Sequence, residues 1–148
     1  MEFHVNMRKS PRRDFIEATV AFYIKELNLT RSRYLLTVLT EKNMVKNQSM
    51  HGGVIQVNDK IIGMVLDSRL SMCQLVQTIA HEMVHVKQFA RGRLRSQILN
   101  KKMVNVWQGK VYADKDLAYH CRPWELEAFR QERELAYRLW SATGVNFK

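Results

Sequence analysis

The sequence predicts an α+β fold in which a small antiparallel or mixed sheet packs on one apolar helix, with further helices near both ends of the chain. Two patterns predict this class: apolar residues recur at helical spacing in three separate stretches, and β-rich runs lie between them. With 46% hydrophobic residues, the 148-residue chain is long enough to bury a core. No repeat or low-complexity linker divides it, so we expect one domain over residues 1–148.

The first predicted helix spans residues 11–27. Ser10 and Pro11 are typical of an N-cap followed by a first helical residue, and apolar residues then recur at helical spacing. The β-rich run Tyr34–Leu39 predicts a strand after this helix.

Two β-hairpins are predicted further along the chain. In the first, Val54–Val57 and Ile61–Leu66 flank a polar turn, and in the second, Val104–Trp107 and Lys110–Tyr112 flank a turn that contains glycine. The hairpins supply the small sheet of the predicted fold.

Two long helices follow the first hairpin. Ser71 with Gln74 three residues later forms a capping box, which predicts a helix that ends near Gly92. This helix is apolar on most sides and is therefore expected to be buried. The last helix is predicted from Pro123 to about Thr143.

The buried helix contains the sequence His81-Glu82-Met83-Val84-His85, an HExxH motif. Residues four apart share a helix face, so both imidazoles can bind one metal ion, while Glu82 can reach a water molecule on it. Two imidazoles with an open position suit Zn²⁺. Because burying such polar residues without a role is costly, we interpret His81 and His85 as metal ligands and Glu82 as a general base.

A third zinc ligand is expected downstream, since catalytic zinc usually has three protein ligands and a water. Glu125 is the preferred candidate, because it shares a helical stripe with the small residue Ala128, which would allow close helix packing. Glu127 points to nearly the opposite side. The alternatives left open are Glu127, His120 and Cys121.

These motifs in their order resemble the gluzincin class of zinc metallopeptidases and, more closely, small phage and bacterial metallopeptidases related to the SprT-like group. The resemblance covers about residues 52–135 and is carried by three elements besides HExxH: Lys87-Gln88, Trp107–Tyr112 and Pro123–Ala128. It implies a minimal zincin fold in which the edge strand of a small sheet lines the cleft, and a glutamate as third ligand. SprT-like proteases proper use a third histidine, for which His120 is the candidate here.

The predicted function is hydrolysis of peptide bonds in a protein or peptide substrate. Glu82 would take a proton from the metal-bound water and return it to the leaving amine. A phenol would stabilise the carbonyl oxygen, with Tyr119 preferred over Tyr112. Substrate backbone would add to the edge strand of the Val54–Leu66 hairpin.

Two alternative functions are left open, one suggested by charge and one by further candidate zinc ligands. Of the net charge of +10, +7 lies in residues 83–113, which contain no acidic residue. Such a segment attracts polyanions, so a nucleic-acid-associated protein is one alternative. A non-catalytic structural zinc protein is the other, with His120 and Cys121 completing a closed site.

The sequence predicts a cytoplasmic protein, in a bacterium or a phage-infected host cell. The N-terminal residues lack the apolar region of a secretion signal, and no stretch is long and apolar enough for a transmembrane span. Cys73 and Cys121 are accordingly expected to be reduced thiols.

Overall fold

The computed structural model describes residues 1–42, 44, 51–113 and 116–144. The helices and strands within them confirm the predicted α+β class. The helices are α1 (Pro11–Glu26), α2 (Met72–Ala90) and α3 (Pro123–Thr143), with a 3-10 turn at Tyr119–Cys121. The strands are β1 (Glu2–Asn6), β2 (Leu35–Glu41), β3 (Gly52–Gln56), β4 (Ile61–Asp67), β5 (Leu94–Leu99), β6 (Lys102–Trp107) and β7 (Lys110–Tyr112).

Helices α1 and α2 begin at the predicted N-cap residues, and α3 begins at the predicted Pro123 without a side-chain cap. The Ser10 hydroxyl accepts a hydrogen bond from the Arg13 amide at 3.1 Å, which caps α1. In the capping box of α2, the Gln74 amide donates to the Ser71 hydroxyl at 3.2 Å, and the Ser71 amide donates to the Gln74 side chain at 2.9 Å. Helix α3 ends at Gly144, whose φ of 68° favours glycine. The capping bonds explain why the starts of α1 and α2 were predictable.

The first sheet is mixed and has the strand order β1-β2-β4-β3. Strands β1, β2 and β4 are parallel neighbours, whereas β3 pairs antiparallel with β4, which confirms the first predicted hairpin. Strand β1 was not predicted. Only Val5 of its five residues is buried, so its sequence carries little strand signal and its pairing with β2 decides its conformation.

The second sheet is antiparallel, with the order β5-β6-β7. Its β6–β7 pair confirms the second predicted hairpin. Strand β5 was not predicted, because Leu94 is its single buried residue and the rest is polar or exposed. Pairing of Leu94 with Trp107 attaches this strand to β6.

Helix α2 lies at the centre of the molecule, in contact with α1, α3, β3 and β4. Its side chains are buried almost continuously from Leu75 to Phe89, as its apolar sequence predicted. Among the described residues, no helix has both the length and the apolar character to cross a membrane. Because α2 is buried along this length, its HExxH motif lies in the middle of the core, beside α3 and the first residue of β3.

Candidate metal centre

His81, His85 and Glu125 form one buried group between α2 and α3. The His85 Nε2 atom lies 2.6 Å from Glu125 Oε1, and the His81 Nε2 atom lies 3.3 Å from Glu125 Oε2. One ligand atom from each residue lies within 4.8 Å of the other two, so the group could hold a metal ion. Two imidazoles and a carboxylate are a donor set that suits zinc and leaves a position for water.

The predicted stripe on α3 places Glu125 in this group. Ala128 is fully buried, and its small side chain lets α3 pack closely on α2. Of the alternative ligands, Glu127 binds Arg93 instead, and His120 and Cys121 are exposed in the 3-10 turn. In the described part of the chain, none of these three belongs to a group that could hold a metal ion.

The outer ring nitrogens of both histidines have hydrogen-bond partners. His81 Nδ1 lies 2.6 Å from the carboxylate of Glu132, and His85 Nδ1 lies 2.8 Å from the side-chain oxygen of Gln88. An N–H at Nδ1 of each ring can donate to these oxygens, which leaves Nε2 of each ring facing Glu125. Without a metal ion, a proton on Nε2 donates to the Glu125 carboxylate; a metal ion would take the place of that proton. Partners of this kind fix the orientation and tautomer of metal-binding histidines.

Gln88 is itself held by a chain of contacts that reaches the residue preceding β5. Its side-chain nitrogen donates to the Trp124 carbonyl at 3.0 Å and to Glu127 Oε1 at 3.2 Å. The Arg93 guanidinium in turn donates to both oxygens of Glu127, at 2.9 and 2.6 Å. Partial burial raises the pKa of Glu127, but the hydrogen bonds from Arg93 and Gln88 outweigh it and lower the pKa.

The sequence pattern predicts no role for Gln88 or Glu132 in the site. Gln88 lies three residues after His85 on a buried helix, and a buried amide needs partners, so its spacing was an available signal. Glu132 lies two helical turns after Glu125 and therefore on the same face of α3. The bond of Glu132 to His81 depends on how α2 and α3 pack, whereas Gln88 and His85 lie on the same helix.

The electrostatics of the group favour a positive charge at its centre. Burial lowers the pKa of His81, but hydrogen bonds to Glu125 and Glu132 outweigh burial and raise the pKa to about 10. The pKa of His85 is raised in the same way by Glu125. Burial raises the pKa of Glu125, yet its bonds to His81 and His85 lower the pKa to about 2. A metal cation would supply the positive charge that protons otherwise provide.

Glu82 lies beside this group, next to the first residue of β3. Burial raises the pKa of the Glu82 carboxyl, and the neighbouring His85 and His81 offset part of this. A Cβ atom at Gly52 would lie 3.3 Å from Glu82 Cγ, 3.1 Å from Thr78 Cγ2 and 3.0 Å from the Val65 carbonyl oxygen. Glycine at position 52 therefore allows the start of β3 to lie against Glu82.

Tyr119 lies at the rim of the group, and Tyr112 does not. Burial raises the pKa of the Tyr119 phenol, and the charge and hydrogen bond of Glu125 raise it further, so the phenol keeps its proton. About half of the Tyr119 side chain is exposed to solvent. Tyr112 packs edge-on against Trp124, with ring centroids 5.5 Å apart. Of the two predicted phenols, Tyr119 is the one placed next to Glu125.

No protein-family model, curated protein or solved structure matches this chain. The chemistry assigned to the centre therefore depends on its own residues.

Proposed function

We propose that this chain is a zinc-dependent peptidase with His81, His85 and Glu125 as ligands. The observation that carries the proposal is the convergence of three buried donors whose histidine rings are held from behind by Glu132 and Gln88. Bound zinc would polarise a peptide carbonyl and lower the pKa of a water molecule.

In this proposal the remaining residues handle the proton and the developing charge. The Glu82 carboxylate accepts a proton from water and delivers it to the amine nitrogen as the C–N bond breaks. A carboxyl with a raised pKa is suited to both steps. The protonated Tyr119 phenol donates a hydrogen bond to the oxygen of the attacked carbonyl.

Strand β3 offers an edge to which substrate backbone can add. In the described part of the chain β3 pairs with β4 alone. The Val57 amide donates to Ile61, and the His51 carbonyl accepts from Asp67. Because hydrogen-bonded positions alternate along an antiparallel pair, the backbone groups of Gly52, Val54 and Gln56 face the free edge. That edge begins beside Glu82, so an extended peptide on β3 would run past the metal centre.

The test replaces Glu82 by Gln, which keeps size and hydrogen bonding but removes the base. The Glu82→Gln protein should fold and retain about one zinc per chain, while hydrolysis of fluorescein-labelled unfolded casein should fall by about 100-fold or more. Glu134→Gln, a change of an exposed glutamate on α3, is the matched control and should cleave like the parent chain.

Two results would contradict the proposal. Equal cleavage by the Glu82→Gln and parent proteins would exclude Glu82 as the base. A parent chain that binds zinc tightly but cleaves no unfolded protein would instead be a structural metal protein. Such a protein needs no general base, so its properties should not change in Glu82→Gln.

A further inference from the structure

A groove of about 1150 Å³ lies at the C-terminal end of α2. It is formed by the segment that follows α1, the β3–β4 turn, the end of α2 and the first half of β5. Asp59 is the one acidic residue among its described lining. Five basic residues line it: Arg31, Arg33, Lys60, Arg91 and Arg95.

The five cations outnumber the carboxylates of the described lining, which contains Asp59 alone. Arg93 and Arg13 form ion pairs with glutamates, but none of the five groove cations forms an ion pair with a described carboxylate. Arg91 donates instead to the backbone carbonyl of Asn28 at 3.0 Å. An exposed groove lined by uncompensated cations attracts an anionic ligand.

Strand β3 connects this groove to the metal centre. The strand starts at Gly52, beside Glu82, and ends at Gln56, which lines the groove. Four residues of strand span about 13 Å. A peptide on the free edge of β3, with its scissile bond at the metal centre, would therefore place side chains in the groove about four residues away.

We propose that the groove extends the substrate cleft and selects peptides with acidic side chains on one side of the scissile bond. This inference rests on the proposed peptidase function and names its substrate class. Arginine binds carboxylates through paired hydrogen bonds, and the edge of β3 supplies the backbone bonds that hold an extended chain in register.

An acidic peptide fits the groove better than a nucleic acid does. Proteins that bind single strands present exposed aromatic faces on which bases stack. Here Phe89 is buried, and Tyr34 is half-buried with its hydroxyl bonded to Gln56 at 3.1 Å. The groove thus combines charge with a strand edge rather than with a stacking surface.

The experiment measures peptide binding by fluorescence anisotropy, with zinc-loaded Glu82→Gln protein so that the probes stay intact. Three labelled peptides share one neutral sequence and carry a block of glutamates at the amino end, a block at the carboxyl end, or glutamines at both. We expect one glutamate peptide to bind about tenfold more tightly than the glutamine peptide. Because the groove lies at one end of β3, the other glutamate peptide should gain much less.

Matched charge variants locate the effect. Replacing Arg31, Arg33 and Arg95 together by Gln should abolish the preference for glutamates. Replacing Arg8, Lys9 and Lys102 together by Gln removes the same charge from exposed positions outside the groove and should preserve it. If both triple variants lose the preference for glutamates equally, net charge alone explains that preference and the proposal is overturned.

Three other results separate this inference from the peptidase proposal. Glutamate and glutamine peptides that bind equally well would refute the groove inference even if the parent chain cleaves both. Groove-dependent binding without any cleavage by the parent chain would refute the peptidase proposal and keep the acidic-peptide site. Tighter groove-dependent binding of oligothymidylate than of either glutamate peptide would assign the groove to nucleic acid and overturn our choice of ligand.

Discussion

Helix α2 takes part in two charged regions that differ in how their charges are balanced. In the middle of the helix, the charges of the candidate metal centre are buried and each histidine faces a glutamate. At its C-terminal end, the groove cations are exposed and have no described carboxylate as an ion-pair partner. Buried charges are tolerated only with partners, whereas exposed cations are solvated by water. Changes in the centre should therefore alter metal binding and stability, and changes in the groove should alter ligand binding alone.

The largest effect is expected for the ligands of the metal. Glu125→Gln and His81→Ala should each weaken zinc binding by more than about 100-fold, because each removes a direct ligand atom. Loss of a residue that only hydrogen-bonds a ligand costs up to roughly 100-fold. Glu127→Gln and His120→Ala should weaken it much less, since neither residue belongs to the group. Zinc affinity measured by chelator competition checks this order. A dominant effect of His120→Ala would show that the ligand set is wrong.

The next effect concerns the residues that hold the histidine rings. Glu132→Ala and Gln88→Leu should each weaken zinc binding by about 10–100-fold, because they remove the acceptors at Nδ1 of His81 and His85. Gln88→Leu keeps the side-chain volume in the core. Glu134→Ala is the control on an exposed position of α3. Unchanged zinc affinity in the first two proteins would mean that these hydrogen bonds do not orient the ligands.

The pH dependence of metal binding follows from the raised pKa of His81. Hydrogen bonds to Glu125 and Glu132 overcome burial and raise this pKa to about 10. In the metal-free chain, protonated His81 stabilises the fold fully below about pH 6.5, and this contribution is lost as the pH rises through 10. Glu125, with its pKa lowered to about 2, contributes stability above its ordinary pKa and loses it as the pH falls through 2.

Zinc must displace the proton on His81, so its affinity should rise with pH. For each proton displaced, the zinc-binding free energy changes by about 1.4 kcal/mol per pH unit, which corresponds to about 4 °C in Tm for a chain of this size. The difference in Tm between zinc-loaded and chelated protein should therefore grow from about pH 6 to 8. A difference that stays constant over this range would show that His81 binds zinc without releasing a proton.

The smallest effect distinguishes two neighbouring arginines. Arg93 bonds to Glu127 and lies over the Trp107 ring at 4.7 Å, so Arg93→Gln should cost about 0.5–1 kcal/mol of unfolding free energy. The zinc affinity of the Arg93→Gln protein should fall a few-fold at most, since Arg93 contacts His85 only through Glu127 and Gln88. Arg95 lines the groove, so Arg95→Gln should change the unfolding free energy by less than about 0.5 kcal/mol. Equal destabilisation by both changes would contradict the contrast between the two regions.

The basic segment 83–113 shows where the sequence pattern was too coarse. Along the sequence its seven cations form a single basic block. The structure separates them: Arg93 bonds to Glu127, Arg91 and Arg95 line the groove, and Lys110 lies over the Tyr112 ring at 5.2 Å. The groove gains its other cations, Arg31, Arg33 and Lys60, from outside the segment. Charge along a chain does not reveal which distant residues will meet.

The sequence by itself determined the features that depend on neighbours within a few residues. Capping side chains set the starts of α1 and α2, the HExxH spacing put two histidines on one face, and the stripe on α3 selected Glu125. These follow from the 3.6-residue period of the helix and from short-range hydrogen bonds.

Only the tertiary structure decided the pairing of β1 and β5, the bond of Glu132 to His81, the bond of Gln88 to the Trp124 carbonyl, and the approach of Gly52 to Glu82. Each joins residues whose separation in space is set by how helices and sheets pack. A largely polar strand such as β5 has no sequence pattern from which the strand it pairs with can be predicted. Such contacts become definite when the whole core is buried, because the packing of that core fixes which backbone edges and side chains face each other.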